Sequence, residues 1–138
     1  MMLVPTKLAP SSIHGIGLFA AQFIPKGTRV WEFTEGFDFT LGQQQIDSLS
    51  LPAREQFLHY AYLSKRTARY VLCSDDARFW NHKYLPNTRA LPLPGDGDEL
   101  AMLATRDIAE GEELTADYAE FDADPYDVCD TGKDGAAT

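Results

Sequence analysis

The chain has 138 residues, 44% of them apolar, and a formal net charge of −9. Such a length suits one domain with a real core. No window carries the ~18 apolar residues of a membrane span, and the start MMLVPTKLAP lacks the basic and long apolar regions of a signal peptide.

Leu3-Val4 and Arg29-Val30-Trp31-Glu32-Phe33 read as short strands by β-propensity. Between Ile24 and Val30, Pro25-Lys26-Gly27-Thr28 is a turn signal: Pro presets φ and Gly permits φ > 0. Residues 40–49 are weakly helical. Ser50 caps a clearer helix, with Pro52 in its first turn and an apolar row of Ala53, Phe57 and Ala61. Ala68 to Cys73 and Leu100 to Thr105 read as strands, with Pro92, Pro94, Gly95 and Gly97 marking a turn-rich connection before the second. Glu113 to Tyr118 is a further strand candidate. Short strands, many turns and one helical insertion predict a mainly β domain.

The acidity is uneven. Residues 117–138 hold Asp117, Glu120, Asp122, Asp124, Asp127, Asp130 and Asp134 against Lys133 alone. An acidic chain is a poor direct ligand for nucleic acid. It suits a basic polypeptide partner, although the same charge also serves solubility. Cys73 and Cys129 are too few for a disulfide scaffold. A cytoplasmic location is the expectation, with a single disulfide between the two left open.

Three blocks carry candidate chemistry. In His14-Gly15-Ile16-Gly17-Leu18-Phe19-Ala20, two glycines one residue apart serve either a tight turn between strands or a close backbone approach to a ligand. In Arg78-Phe79-Trp80-Asn81-His82, followed by Pro86-Asn87, the Asn and His side chains can both donate and accept. They would tie loops together, bind the polar ends of a nucleoside or amino-acid ligand, or do both. The third block is Gly111-Glu112-Glu113-Leu114-Thr115-Ala116-Asp117-Tyr118. A tyrosine hydroxyl there is either a packed rim residue or a handle beside an amine.

Together, in this order, these blocks resemble the SET-domain protein-lysine methyltransferases over roughly residues 3 to 122. The likeness is to small SET-only members without a cysteine-rich zinc segment after the domain. It implies a SET fold: several small curved sheets, a helical insert at about 40–64, and a C-terminal segment threaded under an earlier loop. Residues 1–122 would form that single domain, and 123–138 an acidic, partly disordered tail. It implies S-adenosylmethionine held by Gly15, Ile16, Gly17, Asn81, His82 and Tyr118, catalysis by Tyr118, a substrate channel near Ala116, Tyr70 and Tyr62, and no metal. The partner would be a protein substrate, basic in character, with no direct nucleic-acid or membrane binding and a homodimer left open. The alternative is a SET-fold module that binds a basic protein without turnover.

Three departures stand out. The family usually continues Asn-His with Ser-Cys, where this chain has Lys83-Tyr84. The position two before the tyrosine, often aromatic, is Ala116, which implies a roomier channel and more than one methyl addition. In place of a zinc-binding cap, Phe121, Tyr126 or a second subunit would close the channel.

Overall fold

The computed structural model describes residues 1–92 and 99–124. Pro94, Gly95, Gly97, Tyr126, Cys129 and nearly all of the acidic tail lie outside the described residues.

Strand β1 (Thr6–Pro10) forms an antiparallel hairpin with β2 (Ile16–Ala20), in register Thr6↔Ala20 to Pro10↔Ile16. Gly15, at φ +46°, takes the left-handed conformation that closes the connection. The expected strand at Leu3-Val4 is instead an entry segment, bridged to the sheet through Met2 and Trp31.

Strand β3 (Arg29–Glu32) follows the anticipated turn, in which Gly27 has φ +84° and the Thr28 N–H donates to the Pro25 carbonyl at 3.2 Å. A second small sheet unites β4 (Phe39–Leu41), β5 (Tyr62–Leu63) and β6 (Tyr70–Leu72) in the order β4-β6-β5. Strand β6 begins later than the sequence suggests because Ala68 sits at φ 57°, outside strand geometry.

Two helices lie within the insert, α1 (Gln43–Ser48) and α2 (Leu51–Tyr60). Ser50 caps α2 as expected, its side chain accepting the Ala53 N–H. The apolar row is a correction: no residue of α2 is buried, Ala53 is exposed and Phe57 is half-buried. Only Ala61 of that row, at the C-cap, is buried; the insert is anchored by buried Ile46 of α1 and by polar contacts. Arg54 donates to the Ile46 and Asp47 carbonyls at 3.2 and 2.7 Å at the C-terminal end of α1, where the Ile46 carbonyl also accepts the Leu49 N–H.

Strand β7 (Asn81–His82) precedes β8 (Thr88–Pro92) and β9 (Leu100–Ala104). The third sheet runs β3-β9-β8, so Pro92 falls on an edge strand, where a missing N–H costs least. The core gathers Leu18 of β2, Val30 and Trp31 of β3 with Ile24 before it, and Ile108 and Leu114 of the C-terminal segment.

That segment positions the site. Residues 111–114 run along β2: Gly111 N–H donates to the Ala20 carbonyl and Leu114 N–H to that of Leu18, both at 2.7 Å. Strand β10 (Thr115–Ala116) then pairs parallel with β7, Thr115 opposite Asn81 and Ala116 opposite His82. The next turn docks on the far side, where Lys65 N–H donates to the Phe121 carbonyl at 3.1 Å and Ser64 bridges Asp122. The 115–122 segment is thereby tucked between the 81–88 loop and the start of the 63–70 loop. The result is a mostly β fold of several small sheets with a short helical part.

Candidate functional site

The three sequence blocks converge on one cavity of about 300 Å³. His14, Gly15 and Ile16 form one wall, and Phe79, Trp80 and Asn81 another. Ala116, Tyr118 and Phe121 close it from the C-terminal segment, with Tyr62 and Asp122 beside them.

Asn81 is buried, and its amide holds the first block. Nδ2 lies 3.1 Å from the His14 carbonyl, 3.3 Å from that of Ile16 and 2.9 Å from Glu113 Oε2. Three acceptors around one nitrogen settle the amide orientation. Its Oδ1 accepts nothing among the described residues, so the acceptor is what Asn81 has to offer a ligand.

Glu113 is the hub that the sequence did not single out. Its two oxygens accept from Ser11 Oγ at 2.8 and 2.9 Å while Oε2 takes the Asn81 amide. Ser11 Oγ in turn accepts the Ile13 N–H at 2.9 Å. Glu113 fits because Gly17 has no side chain: a Cβ there would stand 2.3 Å from Glu113 Oε2. Gly17 therefore acts through Glu113 and is not on the cavity wall. Neighbouring Glu112 does something else. It pairs with Arg106 and accepts the Ala109 N–H, and the Arg106 bond, ahead of the rest, holds its carboxyl below the usual range. The available signal for Glu113 was a buried asparagine needing an acceptor beside a glycine-rich strand.

His82 is also a strut. It is 5% exposed and does not line the cavity. Its Nδ1 accepts the Tyr118 N–H at 3.0 Å. A nitrogen that accepts carries no proton, and burial, only partly offset by Asp117, holds the imidazole below its ordinary value. The 3.8 Å approach of Nδ1 to Asp117 is thus proximity to a neutral ring. Tyr84 packs edge-on against His82 with centroids 4.7 Å apart, while the Lys83 side chain is exposed.

Asn87, 2% exposed, fixes β10 from the other side. It donates to the Glu113 carbonyl at 2.8 Å and accepts the Thr115 N–H at 2.9 Å. These struts deliver Tyr118, whose hydroxyl donates to the Trp80 carbonyl. Its ring meets Phe121 at 5.6 Å, and Phe121 meets Tyr62 at 5.0 Å. Burial pushes the Tyr62 phenol well above its ordinary value, so it remains neutral. Ala116 lines the same cavity. Tyr70 does not: it sits in β6 with its hydroxyl 3.5 Å from Gln43 Oε1, away from the cavity lining.

The remaining wall includes Trp31, Tyr60 and Cys73. Burial pushes the Cys73 thiol far up, which makes it an inert wall atom. The buried indole N–H groups of Trp31 and Trp80 find no acceptor among the described residues. A largely apolar cavity with a few converging polar groups has the composition of a small-molecule site, at the low end of the usual volumes.

Residues 15–119 match the SET domain family model. A histone-lysine N-methyltransferase of Chaetomium globosum, H3 lysine-4 specific, is 31% identical over 83% of this chain. Histone-lysine N-methyltransferase 2D of Homo sapiens is 30% identical over 88%, and histone-lysine N-methyltransferase SETMAR of Mus musculus 32% identical over 76%. The chain spans only 11%, 2% and 37% of those proteins. Among solved structures, a humanised mutant of the Chaetomium thermophilum Polycomb Repressive Complex 2 aligns with TM-score 0.63 at 23% identity, over 88% of this chain and 15% of that one. A Plasmodium falciparum protein solved as a candidate histone methyltransferase aligns with TM-score 0.59 at 15% identity, covering 85% of this chain and 95% of that one.

Proposed function

The chain belongs to the SET-domain family, and from that premise we propose that it is an S-adenosylmethionine-dependent lysine N-methyltransferase acting on a protein. The observation that carries the reading is the single cavity shared by the 14–16 loop, Asn81 and Tyr118. The residues present suit the cofactor. The 14–16 backbone, the open Asn81 Oδ1 and the faces of Phe79 and Trp80 would hold a nucleoside carrying an amino acid, and two orphaned indole donors stand in the same wall. When bound, the cofactor supplies an electrophilic methyl group.

The protein's own share is positioning. Tyr118 is fixed at its N–H by His82 and at its hydroxyl by Trp80. Its oxygen would orient the incoming amine, and the Tyr62, Phe121 and Ala116 surfaces exclude water around it. Ala116 leaves room for a bulkier amine, so a product carrying more than one methyl group is expected. A mass spectrum with only monomethyl product at long incubation refutes that point.

The substrate would be basic, in keeping with the chain's negative charge. The test is transfer from labelled S-adenosylmethionine to a basic protein mixture, comparing wild type with Tyr118→Phe. Incorporation should fall at least about tenfold, as for loss of one positioned group in the transition state. Equal incorporation rejects the role of Tyr118.

A further inference from the structure

Asp122 lies one turn beyond Tyr118, its N–H donating to the Tyr118 carbonyl at 2.8 Å. Both residues line the same cavity. Asp122 is 4% exposed, yet its bonds are one-sided. Oδ1 accepts the Asp124 N–H at 2.9 Å and the Leu63 N–H at 3.3 Å. The second oxygen accepts nothing among the described residues. The charged and titratable groups facing it are Lys65 beyond β5, Asp124 on its own segment and the Tyr62 phenol on β5. The Lys65 ammonium is already bonded to the Ala119 carbonyl. The unpaired oxygen is not sealed off, since the buried unpartnered side-chain atoms among the described residues are only the two indole nitrogens, so a cation entering the cavity finds a carboxylate to pair with beside aromatic walls.

We propose that Asp122 receives the ammonium of the substrate lysine and accepts its proton. This rests on reading the cavity as the site of the substrate amine. In the step, one N–H bond of the ammonium breaks and its electron pair stays on nitrogen. The O–H bond forms on the free Asp122 oxygen, and that proton later passes to water. Tyr118, one turn away, then faces a neutral amine. Burial holds the Asp122 carboxyl above its ordinary range, against the pull of the Asp124 and Leu63 N–H groups and of Lys65. A carboxylate so perturbed is a better proton acceptor than a solvated one.

Asp122→Asn keeps the Oδ1 acceptor for both backbone donors, and it replaces the free oxygen by an NH2 donor, so that both the charge and the proton acceptor are lost. On a lysine peptide, wild-type kcat/KM should be flat through neutral pH, because the ionised acid and the ammonium coexist there. The variant must wait for free amine. Its kcat/KM should be about 10²-fold lower at about pH 7.5 and rise about tenfold per pH unit toward the lysine pKa of about 10.4. Binding supplies a readout without turnover. Wild type should prefer the lysine peptide over its norleucine analogue by about tenfold or more, and the variant should show no preference. S-adenosylmethionine affinity should be equal in the two proteins.

A variant with the wild-type pH profile overturns the assignment, as does a wild type that binds both peptides equally. If Asp122→Asn does not fold, the wild-type comparison of the two peptides decides alone. If wild type transfers no methyl to any protein, the enzyme reading fails, and the peptide comparison still tests Asp122.

Discussion

Replacing Gly17 by Ala tests how the glycine-rich strand is held. The new Cβ would lie 2.3 Å from Glu113 Oε2, 2.8 Å from its Cδ and 3.0 Å from Ser11 Cβ. The first two atoms end a flexible side chain, so the clash itself is relieved by swinging Glu113 outward. That movement breaks the bonds to Ser11 and Asn81. Hydrogen bonds to a charged partner contribute about 1.5–3 kcal/mol each. Glu113 is only half-buried and regains water, and Asn81 keeps the His14 and Ile16 carbonyls. The net loss is therefore about 2–3 kcal/mol, not the full sum. In a Glu113→Ala background only the 3.0 Å approach to Ser11 Cβ remains, which a shift of a few tenths of an ångström relieves. Gly17→Ala should then cost under about 1 kcal/mol, because alanine also restricts the unfolded chain. Urea denaturation of the four proteins gives a coupling of about 1.5–2.5 kcal/mol. Additive losses would refute the claim that Gly17 acts through Glu113.

Other consequences are open to measurement. The His82 imidazole is held below its unfolded value by burial, so its contribution is complete above the unfolded pKa of about 6.5 and is lost as pH falls through the folded value. Thermal midpoints of wild type should fall relative to His82→Gln over that window, and parallel curves would contradict the neutral strut. Asp122 and Glu120, both raised chiefly by burial, act with the opposite sign, which is why the comparison with the variant is needed. Asn87→Ala should cost about 2–4 kcal/mol in urea unfolding, because the Thr115 N–H and Glu113 carbonyl lose a buried partner; a loss below about 1 kcal/mol would show that β10 holds itself. In a Cys129→Ser background, Cys73 should react with a thiol reagent only as fast as the protein unfolds, since it is buried and its thiol is pushed far up. Rapid labelling of the folded protein would contradict that.

Much of the fold was readable where a local signal sufficed. Ser50 capped its helix, Gly27 made its turn, and Arg29–Glu32 and Leu100–Ala104 formed strands. Thr6–Pro10 was not legible: most of its side chains are exposed, so the strand carries little apolar alternation. Thr88–Pro92 was hidden by its closing proline, which only an edge strand tolerates. The α2 row misled in two of its three members: Ala53 is exposed and Phe57 half-buried, and only Ala61 at the C-cap is buried.

The site shows the same division. Residue types marked Asn81 and Tyr118 as polar groups worth placing, and their meeting at one cavity came from the family resemblance. Glu113 and Asn87 stood inside the quoted blocks without a role, and Asp122 counted only as tail charge, because what they do exists only once segments distant in sequence are packed together. His82 was expected beside Asn81 in a cofactor pocket; its side chain stands one layer behind the cavity wall, because the parallel pairing of β7 with β10 aims its Nδ1 at the Tyr118 amide.

Calorimetric titration of the whole chain with S-adenosylmethionine tests the central claim most directly. The cavity of His14-Gly15-Ile16, Trp80 and Asn81 predicts saturable binding at a single site. No heat of binding at millimolar ligand would contradict it.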